Sequence, residues 1–294
     1  MKRFTLPGAA FWRQAFTLHG SVTGRVLPRT LIVGVIASAV TALYHHLPRI
    51  AIDPAPFTSS GVILGLLLVF RSGAGYDRWW EARVLWGGIT NQSRNLVLSA
   101  RAYGPADPVW QRAFTRWVAA FAHAVRGSLR AERVLPELTA LVGAEAAEEV
   151  TAAKHMPSHV AARLAALLGD ARALGLDGFT FLRLDRERGL LIDHVGGCER
   201  ILATPIPHVF SLMTRRFLAM YLLLLPFALV EPLGWLTPAL VLFIAYPIFS
   251  LEQIGAELQN PFVRASLSHL PLDAMCASLE AELLASPDAA PRVY

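Results

Sequence analysis

An apolar run over residues 54–70 stops at Arg71 and passes straight into Tyr76, Asp77, Arg78, Trp79, Trp80, Glu81, Ala82 and Arg83. A segment greasy enough for lipid therefore feeds into one rich in charge and tryptophan. The junction implies a helix that leaves the bilayer without leaving the protein. A helix lining a water-filled path, and continuing from membrane into vestibule, carries this pattern.

The composition supports membrane spans. Hydrophobic residues make up 54% and charged residues 17% of the 294 positions, where soluble domains carry about 25% charge. The deficit is local, which favours discrete spans over a uniformly greasy core. Net charge is +5. Nucleic-acid binding is the usual rival for a basic chain, but the arginines flank apolar runs, as membrane-adjacent cations do. Cys198 and Cys276 lie far apart with no metal or disulfide pattern around them. They read as small buried residues.

Four segments have the makings of spans: residues 30–47, 54–75, 212–230 and 232–251. A lone spanning helix wants about 20 apolar residues, so the shorter ones fit best within a multi-helix bundle. The break between the last two is expected at Glu231 and Pro232. No cleavable leader is evident in the first 29 residues, which carry five basic side chains among interrupted apolar ones. There Phe11, Trp12, Phe16 and Leu18 form an apolar edge suited either to the headgroup level or to packing on the protein. Loop charge then sets orientation. The long arginine-rich stretch and both termini are expected in the cytoplasm, with two brief hairpins outside.

The cytoplasmic part, residues 76–211 and 252–294, reads as all helix. Asp107 followed by Pro108 is a cap with proline at the first helical position. Trp110, Phe114, Trp117, Phe121 and Val125 then recur at spacings of three and four, forming one face with Arg112, Arg116 and Arg126 off it. Further helices are expected over residues 144–154, after a cap at Ser158, and over 182–202. Gly169, Gly175 and Gly178 mark a turn, and the tail after Ser286 is expected to fray. No alternating strand pattern, repeat or low-complexity tract is present.

No catalytic constellation stands out, and neither a metal nor a cofactor is implied. His45 and His46 are adjacent and point to different sides of a helix, so they read as interface-seeking side chains. His194, Cys198 and Glu199 share a helix face, but a zinc site needs more ligands than that, and packing accounts for them. One stripe bears on function: Val62, Leu66 and Phe70 lie at i, i+4 and i+8 on the second apolar segment. Several copies around an axis would place these as apolar rings, a constriction that closes by dewetting. From spacing alone, ordinary packing against another helix is the better account, since most apolar stripes do only that. Trp79, Trp80 and Trp86 suit an aromatic belt at the inner face. Asp77, Arg78, Glu81 and Arg83 are spaced to pair along the helix or between subunits.

The run Phe70, Arg71, Ser72, Gly73, Ala74, Gly75, Tyr76, Asp77, Arg78, Trp79, Trp80, Glu81, Ala82, Arg83, followed by Leu85, Trp86, Gly87 and by Ser93, Arg94, Asn95, Leu96, closely resembles the bacterial branch of the bestrophin family. Further blocks agree in order: Gly197 to Ile201 with Thr204, Pro205, Ile206 and Pro207, then Asn260, Pro261, Phe262, then Leu270 to Cys276. The resemblance implies an all-α integral membrane subunit with four transmembrane helices and a cytoplasmic helical region. Residues 1–294 would form one channel subunit, assembling as a homopentamer around an axial ion pathway. It matches Val62, Leu66 and Phe70 to a hydrophobic neck and Phe179 to a constriction at the cytoplasmic exit. Arg71, Asp77, Arg78, Trp79, Trp80, Glu81 and Arg83 become structural contacts at subunit or membrane interfaces. The implied partners are further copies of the chain, membrane lipids and permeant inorganic ions, with no nucleic acid. The implied setting is a bacterial inner membrane. The basic composition and Arg71 at the inner edge of the neck tilt the permeant ion toward an anion, chloride first, with a cation-selective (sodium-type) pore of the same build, or a non-conducting membrane scaffold, as the alternatives. Animal members clasp calcium with an acidic cluster after Asn-Pro-Phe. Here Val263 to His269 holds no carboxylate, and calcium takes about six to eight oxygen ligands, so activation through that clasp is not expected.

Overall fold

The computed structural model describes residues 20–285, together with Phe11 and Thr17. The N-terminal apolar edge, apart from an exposed Phe11, and the tail after Ser286 lie outside the described residues. Among the described residues the secondary structure is entirely helical, as the patterning implies. The helices are α1 (Thr23–Tyr44), α2 (Ala55–Tyr103), α3 (Pro108–Arg130), α4 (Pro136–Val142), α5 (Ala144–Ala152), α6 (Met156–Ala173), α7 (Gly178–Ala203), α8 (His208–Leu233), α9 (Thr237–Glu257) and α10 (Leu272–Leu284). Contacts separate the chain into two compact units: residues 20–79 with 205–269, and residues 80–204 with 270–285.

The first unit packs α1, α8, α9 and the N-terminal part of α2. Its core is aliphatic: Val33 and Ala37 from α1, Leu64 and Leu68 from α2, Leu218, Leu222 and Leu225 from α8, Val241 and Ala245 from α9. Among the described residues, three stretches are long and apolar enough to cross a bilayer: Thr23–Tyr44, part of Ala55–Tyr103, and His208–Glu257. The last is folded in two, as α8 and α9. The break falls at a 3-10 turn over Gly234–Leu236 rather than at Glu231 and Pro232, which stay helical. Gly234 takes φ +53°, a left-handed conformation that glycine adopts without Cβ strain. The Thr237 hydroxyl donates to the Leu229 carbonyl at 3.2 Å, holding the start of α9 to the end of α8. The first span is also displaced from expectation: α1 starts before residue 30 and ends at Tyr44, so residues 45–47 leave it. His45 stacks on Trp235 with ring centroids 4.8 Å apart.

The second unit is built around α3. Asp107 caps it, accepting from the backbone N–H of Val109 at 3.0 Å and Trp110 at 3.2 Å. All five residues of the expected face are buried, but burial runs on around the helix from Trp117 to Gly127. An all-round buried helix is central rather than half-solvated, and Arg126, placed off the face by spacing, is buried with it. Its guanidinium donates to Glu137 at 3.0 Å and lies 3.3 Å from Asp273. The Trp110 indole donates to the Leu167 carbonyl of α6. Ser158 does not cap α6. His155 does, its Nδ1 accepting from the Ser158 backbone N–H, so the helix starts three residues earlier. Gly169 sits inside α6, leaving Gly175 (φ +97°) as the turn residue, and Gly178 opens α7.

Candidate pore-lining helix

Helix α2 is a single element of 49 residues, more than twice the about 20 that span a hydrocarbon core. Its one proline, Pro56, stands in the first turn, where the backbone N–H has no acceptor within the helix, and from Phe57 to Tyr103 there is no proline to remove a backbone donor. The helix therefore runs through the apolar-to-charged junction.

The N-terminal part of α2 has two opposed faces. Leu64, Leu68, Arg71 and Gly75 are buried in the first unit. Val62, Leu66 and Phe70 are 71%, 54% and 62% exposed. At about 100° per residue, the centres of the two sets lie roughly 170° apart on the helical wheel. One face thus belongs to the chain's own core, and the three-residue stripe lies within the wider surface, Ile63 and Val69 included, that this core leaves uncovered.

Arg71 is buried, 1% exposed, and its terminal nitrogen lies 3.0 Å from a carboxylate oxygen of Glu252 on α9. Its Nε and other terminal nitrogen are buried without a hydrogen-bond partner. Glu252, 3% exposed, also accepts from Arg215 Nε at 2.8 Å and has Arg29 at 3.7 Å. Arg71 is thus turned into the chain's own bundle and neutralised there, and the free positive charge expected at the neck's inner edge is not supplied by it. Sequence reasoning passed over Glu252. The signal was present, since a lone carboxylate closing an apolar run is costly in a membrane unless a cation meets it.

Members of the charged and aromatic block that follows pair with other elements of the same chain, and Tyr76 and Trp79 stack along the helix itself. Arg78 Nε donates to the Gln259 carbonyl at 3.3 Å, and the Trp79 indole to the Ser268 carbonyl at 2.7 Å. Glu81 binds Arg200 of α7 at 2.6 Å. Trp80 is exposed, as are Asp77 and Arg83. Trp86 departs from the belt reading, being fully buried in the second unit. Nearby, a Cβ on Gly88 would meet the His194 ring at 2.5–2.8 Å, so α2 and α7 approach too closely there for any side chain but hydrogen. His194 is in that contact, and Glu199 meets His155 at 2.5 Å. Cys198 is buried, and its thiol is pushed up to about 12, chiefly by that burial. Phe179 stands in the first turn of α7, which Asp177 caps through the N–H groups of Phe179 and Thr180, and it is 89% exposed.

In the stretch after Asn260, backbone and hydroxyl bonds take the place of a carboxylate cluster. Leu267 N–H donates to Glu257 at 2.9 Å, the Ser266 hydroxyl to the Glu257 carbonyl at 2.8 Å, and Arg25 to the Ala265 carbonyl at 2.6 Å. Arg25 also pairs with the Glu257 carboxylate.

The family model described as Bacterial/Fungal Bestrophin protein matches residues 5–285. The chain belongs to the bacterial and fungal bestrophin family. A bestrophin relative from Mesorhizobium japonicum, named a voltage-dependent anion channel-forming protein, is 33% identical over 97% of this chain and 92% of its own length. One from Escherichia coli, YneE, bears the same description and is 34% identical over 97% of this chain and 94% of its own. The crystal structure of a bacterial bestrophin homolog from Klebsiella pneumoniae superposes with a TM-score of 0.82 at 30% identity, covering 88% of this chain and 97% of that one. The bestrophin fold thus carries the long helix, the apolar helices and the helical second unit described above.

Proposed function

We propose that this bestrophin is a passive anion channel of a bacterial inner membrane, formed by five copies around one axis. Membership of this family makes the chain a channel rather than an enzyme. The anion assignment is supported by relatives named anion channel-forming proteins. The observation that carries the pore reading is the uncovered stripe of Val62, Leu66 and Phe70, on a helix whose opposite face fills its own subunit. Five such stripes facing one axis form a neck of apolar rings, which conducts when wetted and closes when dry. Each of the four apolar helices α1, α2, α8 and α9 then crosses the membrane, α2 entering as the second span. The arginine-rich segments lie inside with both termini. Phe179, exposed in the first turn of α7, forms the cytoplasmic aperture. Ions enter from outside, pass the neck, cross a vestibule and leave past Phe179, and chloride is the anion first expected.

A cation-selective pore of the same build is the second reading. The burial and neutralisation of Arg71 favours it, because the inner edge of the neck then lacks the positive charge that would attract anions there.

Single-channel recording of the purified protein in planar bilayers tests both. Phe70→Ala widens the neck; if this takes about 1 kcal/mol from the barrier, conductance rises about fivefold. Reversal potentials in a sodium chloride gradient give the sign of the permeant ion. No flux from a correctly assembled oligomer, wild type or widened, leaves a membrane scaffold as the function and overturns the channel.

A further inference from the structure

A groove of about 430 Å³ opens on the first unit between α1, α8 and α9. Its walls are apolar, with Ile32 and Val33 from α1, Leu218, Leu222 and Leu223 from α8, and Phe249 from α9. Its charged residues, Arg29, Arg215 and Glu252, gather at one end. Chain direction shows this. Arg29 precedes Ile32 by one turn on α1, and Arg215 precedes Leu218 to Leu223 on α8. Glu252 follows Phe249 on α9, which returns the other way. From Arg215 to Leu223 the helix rises about 12 Å, so the groove is a slot of that order with a polar head and an apolar body.

The head carries excess positive charge. Three guanidinium groups, of Arg29, Arg71 and Arg215, surround the single carboxylate of Glu252. Glu252 and Arg71 are buried, while the Arg29 and Arg215 side chains are 53% and 55% exposed. Arg215 binds Glu252 through Nε alone, and its two terminal nitrogens make no bond among the described residues. Arg29 makes only a 3.5 Å contact to Gln253 besides its distant approach to Glu252. Two half-exposed arginines with donors to spare thus stand above an apolar slot, at the end of helices apolar enough to cross a bilayer.

We propose that this groove is a binding site for an anionic phospholipid, its phosphate held between Arg29 and Arg215 and one acyl chain lying along Leu218 to Leu223. Arginine matches a phosphate through paired N–H donors, and basic pockets between membrane helices take anionic headgroups in this manner. A zwitterionic lipid fills the slot equally well but leaves the excess charge unmet. The site rests on insertion of the chain in a membrane and not on conduction, so its test reads binding alone.

Full-length protein purified in detergent and titrated with palmitoyl-oleoyl phosphatidylglycerol or phosphatidylcholine, read by native mass spectrometry, decides it. Each arginine is worth about a fivefold preference for the anionic lipid, and the pair about thirtyfold. Arg29→Gln and Arg215→Gln should each lower that preference about fivefold. Arg29→Gln is the milder change, because Arg71 and Arg215 still satisfy Glu252. Ala219→Phe fills the slot and should reduce retention of both lipids. Phosphatidylglycerol preference that survives both Arg29→Gln and Arg215→Gln, or lipid retention that survives Ala219→Phe, overturns the site. Competition by inorganic phosphate as strong as by the lipid assigns the head to a free anion instead. Lipid bound by dissociated monomer but not by the oligomer shows that a neighbouring copy covers the groove, and overturns it too.

Discussion

At the scale of single residues, the structure is governed by the cost of burying Arg71 and Glu252 at the end of apolar helices. Both are almost wholly shielded; Glu252 compensates Arg71 at 3.0 Å, and Glu252 itself is met by Arg71 and, at 2.8 Å, by Arg215. Removing one partner of a buried ion pair leaves an unpaired charge and costs about 3–5 kcal/mol, whereas replacing both with apolar groups is often neutral or better. Glu252→Gln is therefore expected to lower the thermal midpoint of the detergent-solubilised oligomer sharply. The Arg71→Met and Glu252→Leu double variant should recover much of the loss. Additive losses in the double variant, seen in the same thermal-shift measurement, would mean that the two groups are held by other partners.

At the scale of elements, the second unit is tied together where α10 lies on α3. His123 of α3 is 1% exposed, and its Nε2 lies 2.8 Å from a carboxylate oxygen of Glu280 on α10. Cys276 of α10 contacts the Ala122 carbonyl, and Arg130 donates to Asp273 at 2.8 Å. Burial pushes the His123 imidazole below its ordinary value, against the opposing hydrogen bond of Glu280, with Arg126 adding in the same direction as burial. A histidine with a lowered folded-state value binds fewer protons folded than unfolded, so stability rises with pH. The loss begins as pH falls below about 6.5, the unfolded value, and grows toward the folded one. With the intrinsic pH dependence of amide exchange divided out, the protection of α10 amides should fall between pH 7.5 and 5.5, and His123→Gln should flatten that dependence. Much of this architecture was legible beforehand. The continuity of α2 follows from the lack of any proline between Arg71 and Tyr103, and the Asp107 cap from its proline. What escaped depends on partners far away in sequence. Glu252 meets Arg71 across 181 positions, Trp86 has the spacing of a belt residue but faces a core, and His155 caps α6 although serine is the commoner cap. Local pattern carries period and punctuation, and it does not say which face a distant helix will cover. The stripe of Val62, Leu66 and Phe70 shows the same limit, since spacing gave its three residues but not that the chain's own core leaves them bare.

At the scale of the whole molecule, the exposed stripe on α2 demands cover, because Val62, Leu66 and Phe70 stand out from the chain that carries them. Lipid would cover them at little cost, so exposure alone does not distinguish an axial neck from a lipid-facing surface. Water does. Side chains around a conducting path meet a hydrophilic thiol reagent, while those facing acyl chains do not. The native cysteines leave the experiment clean. Cys198 and Cys276 are buried and their thiols are pushed up to about 12, chiefly by burial, so neither forms the reactive thiolate near neutral pH. In a proposed pentamer of about 160 kDa, five times the 32.1 kDa chain, Leu66→Cys presents five thiols to one narrow ring. A charged methanethiosulfonate added to the open channel should abolish most of its current, because even one modified subunit places a bulky ion in the neck. Leu64→Cys, on the buried face two residues away, should be indifferent. Unmodified current through Leu66→Cys, with mass spectrometry showing the thiol intact, would put this stripe against lipid and move the ion path elsewhere.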